Sequence, residues 1–229
     1  MANIPSSNIE QLLETAIDSA LVDLHTCLPG SIVSFDSVAQ TVHAQVQIRR
    51  VHVDKNGIES TVAVPVLVDV PILFPKCAGF SITLPVKPGD NCLIFFSERD
   101  IDNWHNSGSL SNPRTRRKFD FSDGFCFPGV STTNNRVSNY NSDDLEIRND
   151  DSSAKIVLKL NGDIEISNAT KIDINTPELN INAKTKITGD SEITGKLDAT
   201  GEIKSGSVSL STHVHGGVQS GGSNTSPPV

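Results

Sequence analysis

The sequence predicts an all-β chain in two unlike parts: a small barrel led by an N-terminal helix, then a repetitive shaft that closes only when three copies wind together. Three observations carry this. All nine Phe, the single Trp, the single Tyr and all four Cys of the 229 residues precede position 141. The apolar periodicity switches from helical to alternating near Ser31. Beyond position 155, pairs of Ile and Leu recur at an imperfect spacing of about eight residues.

The helix comes first. Ile9, Leu12, Leu13, Ile17, Leu21 and Leu24 recur at helical spacing, and Ser7 followed by Glu10 fits a capping box. Pro29-Gly30 is expected to end it, giving a segment of residues 1–29. Such a helix packs on its own domain or docks on a partner or a sister subunit, and spacing alone leaves these open.

From residue 30 to 135 the chain reads as strands. Ile32, Val42, Ala44, Val46 and Ile48 alternate with polar residues, and Lys55-Asn56-Gly57 supplies a hairpin turn. Further apolar runs at 62–74, 80–86 and 92–96 are separated by Pro75, Pro85 and Pro88-Gly89-Asp90. About five short strands are the content of a small, closed or partly open barrel of the OB type. Residues 131–155, rich in Ser, Thr, Asn and Asp, mark the change of domain.

Residues 136–211 carry the repeat. Ile156, Leu158 and Leu160 are followed by Ile164 with Ile166, Ile172 with Ile174, Leu179 with Ile181, and Ile187. Turn pairs such as Asn161-Gly162 and Thr176-Pro177 fall between them. Each short strand sets its apolar residues on one face and charged or amide residues on the other. One chain of this kind leaves open edges and half a core, whereas three chains about one axis close the sheet. The expectation is an intertwined triple-stranded β-helix needle in a homotrimer. After Ile187, glycines at 189, 195, 201 and 206 let the backbones approach the axis, so the needle tapers.

Charge and cysteine usage narrow the function. The net charge of −8 divides as +11 − 14 = −3 up to residue 140 and +8 − 13 = −5 after it, so neither part has the basic balance of a nucleic-acid binder. The run Arg114-Thr115-Arg116-Arg117-Lys118 reads as a solvated loop or a partner contact. Cys27, Cys77, Cys92 and Cys126 lack paired metal or redox spacing and are expected as buried free thiols. With neither a signal-peptide pattern nor a long apolar run, the chain is expected to be made and assembled as a soluble protein in the host cytoplasm.

Residues 212–229 form the tip. In an extended segment, His213 and His215 point to the same side, so three chains can bring six imidazoles to one axis. Six nitrogen ligands make an octahedral centre, for which iron(II) is the leading candidate, one ion per trimer. Such a centre has no open position for substrate, and no catalytic residues are expected anywhere in the chain.

The residues now on the page resemble a known family. Leu28-Pro29-Gly30-Ser31-Ile32-Val33-Ser34-Phe35-Asp36, the run Val68 to Pro75, Phe80 through Asp90, and Ile94 to Trp104 resemble the N-terminal domain of contractile-tail bacteriophage central spikes. Thr212-His213-Val214-His215-Gly216-Gly217 resembles the iron-binding apex of the same family. The resemblance implies an OB-fold collar attached to the baseplate hub protein, a triple β-helix shaft, and iron held by His213 and His215 of three subunits. It also implies a structural, non-enzymatic virion protein at the tail tip, which pierces the host outer membrane during contraction. Roughly nine layers at about 4.7 Å each would give a shaft of about 40 Å, longer than the ~30 Å hydrocarbon core of a bilayer. The alternative is an OB-fold module that binds glycans or a receptor.

Overall fold

The computed structural model describes residues 6–22, 24–54, 56–214, 217, 221 and 222, with side chains from residue 9 onward. It is mostly β with few helices, and it falls into two units, Met1–Lys171 and Ile172–Val229.

Helix α1 spans Ser6–Val22, so Ser7 lies inside the first turn and not ahead of it. It also stops well short of Pro29-Gly30, because Leu24 N–H closes on Leu21 O and His25 N–H then turns to Phe119 O. Pro29 and Gly30 instead belong to β1, Cys27–Asp36. Gly30 is there for lack of space: an added Cβ would sit 2.8 Å from Ile94 Cδ1 and 3.3 Å from Gln45 O.

Strand β1 pairs antiparallel with β2, Thr41–Val46, and Asp36 Oδ1 accepts from Val38 and Ala39 N–H to shape the turn between them. The next hairpin joins β3, Arg50–Val53, to β4, Glu59–Val62, across Gly57 at φ 78°, as the Asn-Gly pair foretells. Strand β5, Leu67–Pro71, follows Pro65, so the apolar run 62–74 is divided and not continuous. A two-residue hairpin of β6, Lys76–Cys77, and β7, Phe80–Ser81, precedes β8, Asn91–Phe96. Helix α2, Asp102–Ser107, ends at Gly108 in the left-handed region, and β9, Gly124–Pro128, completes the first sheet.

The five long strands lie in the order β5-β2-β1-β8-β9 and curl into a half-barrel. Its two edges meet where Ile72 bridges Cys126 in parallel and Leu73 N–H donates to Cys126 O at 2.8 Å. The alternating residues Ile32, Val42, Ala44, Val46, Ile94 and Cys126 point inward and are buried, with Phe35, Phe74 and Phe121 packed against them. Cys92 and Cys126 are buried free thiols; Cys27 is half-buried and Cys77 exposed, so the expectation of burial fails for Cys77. The hydrogen-bonded neighbour Cys92, together with burial, holds the Cys126 thiol protonated.

Three further strands follow in the first unit: β10, Leu145–Arg148, β11, Ala154–Leu158, and β12, Ile164–Asn168, in an antiparallel sheet. Regular structure thus resumes at Leu145, eleven residues before Ile156. In the second unit the described strands are β13, Lys204–Ser205, and β14, Val208–Ser209, which form a small hairpin. The expected short strands at 172–174, 179–181 and 187 are irregular within one chain. An extended segment with no neighbour has nothing to receive its ladder hydrogen bonds.

Candidate functional site

The first feature is an apolar sheet face. Cross-strand register aligns Leu145 with Leu158 and Ile164, and Ile147 with Ile156 and Ile166. Because side chains alternate, all six project from one face in two rows of three. They are 40 to 69% exposed. The opposite face carries the charges: Arg148 Nε lies 3.3 Å and Lys155 Nζ 3.6 Å from Glu146, and Lys159 Nζ 2.8 Å from Glu165. That last pairing lowers the Glu165 carboxyl and raises the Lys159 ammonium. The sheet is therefore amphipathic in the opposite sense to a solvated one, with ion pairs on one side and uncovered Ile and Leu on the other.

The same imbalance runs through the second unit. Ile172, Ile174, Leu179, Ile181, Ile187, Ile193 and Leu197 are all more than half exposed. The chain as a whole exposes 19487 Å². By the size scaling of folded monomers, a 24.5 kDa chain exposes roughly 10,000 Å².

At the tip, Glu202 organises the backbone. Its carboxylate accepts from Ser209 Oγ at 2.8 Å and Ser211 Oγ at 2.6 Å, which lowers its pKa, and Thr212 N–H donates to Ser209 Oγ. His213 follows directly, with Nδ1 3.0 Å from Ser209 O and 3.1 Å from Leu210 O. Carbonyl oxygens only accept, so Nδ1 carries a proton, and in the neutral ring the lone pair falls on Nε2, the arrangement common in metal-ligating histidines. His215, the other predicted ligand, lies outside the described residues.

A third cluster was not legible in the sequence. Asp100, Asp102 and Asp123 converge closely enough to hold a cation, but Arg117 reaches into the group. Its Nη2 lies 3.0 Å from Asp123, 3.2 Å from Asp102 and 3.4 Å from Asp100. Thr115 adds its Oγ1 at 2.6 Å and its N–H at 2.8 Å to Asp100. The Thr115 hydroxyl is the chief reason that the Asp100 carboxyl is held low, and Asp123 the chief reason that the Arg117 guanidinium is held high. Arg117 is thus no solvated loop residue: it fastens the loop after β8 to the start of β9.

A half-barrel, an amphipathic sheet lacking a cover for its apolar face, and a small terminal hairpin define an all-β assembly module. Comparison with known families gives it a place. Residues 28–129 match the phage protein Gp138 N-terminal domain, and residues 207–229, which contain His213 and His215, match the GpV Apex motif. Both are families of phage baseplate central-spike proteins, so the resemblance read from the sequence is borne out. They are structural tail proteins, and they imply association with the baseplate in the virion tail. No curated protein matches the chain.

Proposed function

We propose that the protein is the homotrimeric central spike at the baseplate tip, a non-enzymatic needle that pierces the host outer membrane as the tail contracts. The observation that carries this is the uncovered face of Leu145, Ile147, Ile156, Leu158, Ile164 and Ile166. Two more copies about one axis bury it, and the same winding gives the apolar pairs from Ile172 to Ile203 a common interior. This is the triple-stranded β-helix shaft. The OB class is supported for the barrel by its strand order and by the parallel contact between Ile72 and Cys126.

At the apex, His213 and His215 of three chains would hold one iron(II), and the lone pair on His213 Nε2 fits that role. When bound, the ion cross-links three chain ends. The chain's own residues supply the rest: Glu202 and its serine partners hold the backbone that presents His213. The shaft's outward positions are charged or amide side chains, so nothing favours spontaneous partition into lipid. Penetration therefore needs applied force.

Dye-loaded liposomes of outer-membrane lipid test the mechanical reading. The purified protein at neutral pH is expected to leave them sealed, and dye release without force would contradict it. Elemental analysis is expected to find one iron per three chains, and zinc at one per chain would overturn the shared site.

A further inference from the structure

Glu202 closes the open end of the terminal hairpin. Strands β13 and β14 pair Lys204 with Ser209, and Leu210 N–H continues the ladder to Ile203 O at 2.9 Å. Just beyond, one Glu202 carboxylate oxygen accepts from Ser209 Oγ at 2.8 Å and the other from Ser211 Oγ at 2.6 Å. The backbone N–H groups of Leu210 and Ser211 donate to the same carboxylate. A carboxylate only accepts, so the Ser209 hydroxyl turns its proton to Glu202 and its lone pairs to Thr212. They take the Thr212 N–H at 3.0 Å and its Oγ1–H at 2.8 Å. The Ser209 carbonyl then takes two protons of His213, from the backbone N–H at 3.2 Å and from Nδ1 at 3.0 Å. An unbroken relay within one chain thus runs from Glu202 through Ser209 to the His213 ring.

A carboxylate so near a candidate metal ligand has two roles open to it, as a further ligand or as the ligand's support. Saturation decides between them. An ionised carboxyl has about four acceptor sites, and two hydroxyls and two N–H groups fill those of Glu202. We propose that Glu202 is a positioning residue of the apex: it stays off the ion and, through Ser209, fixes the tautomer and orientation of the His213 ring, so that it sets how tightly the chain ends hold their metal. The proposal rests on the apex reading above, in which His213 is a ligand. Loss of such an outer partner lowers metal affinity about 10–100-fold.

The test uses the full-length protein loaded with ferrous iron, as wild type, Glu202→Ala, Glu202→Gln and Ser209→Ala. Iron transfer to an external chelator is timed, and light scattering counts the chains. Glu202→Ala is expected to lose iron about 10–100-fold faster at an unchanged chain count. Glu202→Gln is expected to stay near wild type, since its amide oxygen accepts from one serine and its NH2 donates to the oxygen of the other. The 57Fe Mössbauer doublet is expected to broaden in the first variant and to match wild type in the second. A ligand role would make the Gln variant as leaky as the Ala variant, so equal loss in both overturns the proposal, as does wild-type retention in Glu202→Ala. Should Glu202→Ala fail to assemble, Ser209→Ala decides, because it breaks the relay at Thr212 while Ser211 still holds Glu202. Faster release is expected from it, and release at the wild-type rate overturns the proposal. Wild type that takes up no iron overturns the apex reading itself, and the proposal with it.

Discussion

The barrel and the β10–β12 sheet are built from the same kinds of residue and treat them oppositely. In the barrel, Ile32, Val42 and Ile94 lie on strands that curl until the two edges meet, so the inner face is covered by the sheet itself. In the β10–β12 sheet, Ile147, Ile156 and Ile166 are as well paired along the ladder, yet remain open to solvent. Hydrogen-bonded register makes a face, but a core needs a second face. One region finds it within the chain; for the other, the proposed trimer supplies it from further copies.

The comparison breaks most visibly if the shaft face is charged. Ile156→Asp with Ile166→Asp is expected to abolish the trimer, leaving a monomer whose barrel still unfolds cooperatively. A trimer that survived would show that the shaft face is not the contact.

Arg117→Met acts on the barrel alone. It leaves the carboxylates of Asp100 and Asp123 buried without their cation, which is expected to cost about 3 kcal/mol of barrel stability in a denaturant titration. The chain count by light scattering should not change.

Gly30→Ala is smaller. Its methyl group would meet Ile94 and the backbone at Gln45, and the overpacking is expected to cost about 1–2 kcal/mol, read as a lower denaturant midpoint. A neutral result would mean that β1 and β8 shift apart without cost.

The smallest effect is that of pH. The Asp100 carboxyl is held below its ordinary value of 3.8 in the folded chain, chiefly by Thr115. Its contribution is present above the unfolded value and is lost as pH falls through the folded one. The barrel's melting temperature is expected to drop below about pH 4, and less so in Asp100→Asn.

Local pattern revealed what is local. Strands β1 and β2 show as alternation, β8 as an apolar run, the β3–β4 turn as Asn-Gly, and the face of the β10–β12 sheet as spaced Ile and Leu. Strand β9 does not, because Gly124 and Pro128 bound a run too short to show a period. Pro29-Gly30 misled because the pair is a common helix stop, whereas here the glycine serves close packing beneath Ile94. The Arg117 cluster joins Arg117 to Asp123, 6 positions on, and to Asp102, 15 positions back, with no shared period, so its Arg looked like one of a basic run. At the tip, the position of His213 and its tautomer follow from a turn held by Glu202, which spacing could not supply.

The central claim is that the shaft's second face is another copy of the same chain. The mass of the full-length protein in solution at micromolar concentration tests it most directly. Multi-angle light scattering is expected to read three times 24.5 kDa, and a folded, soluble particle of one chain would contradict the account.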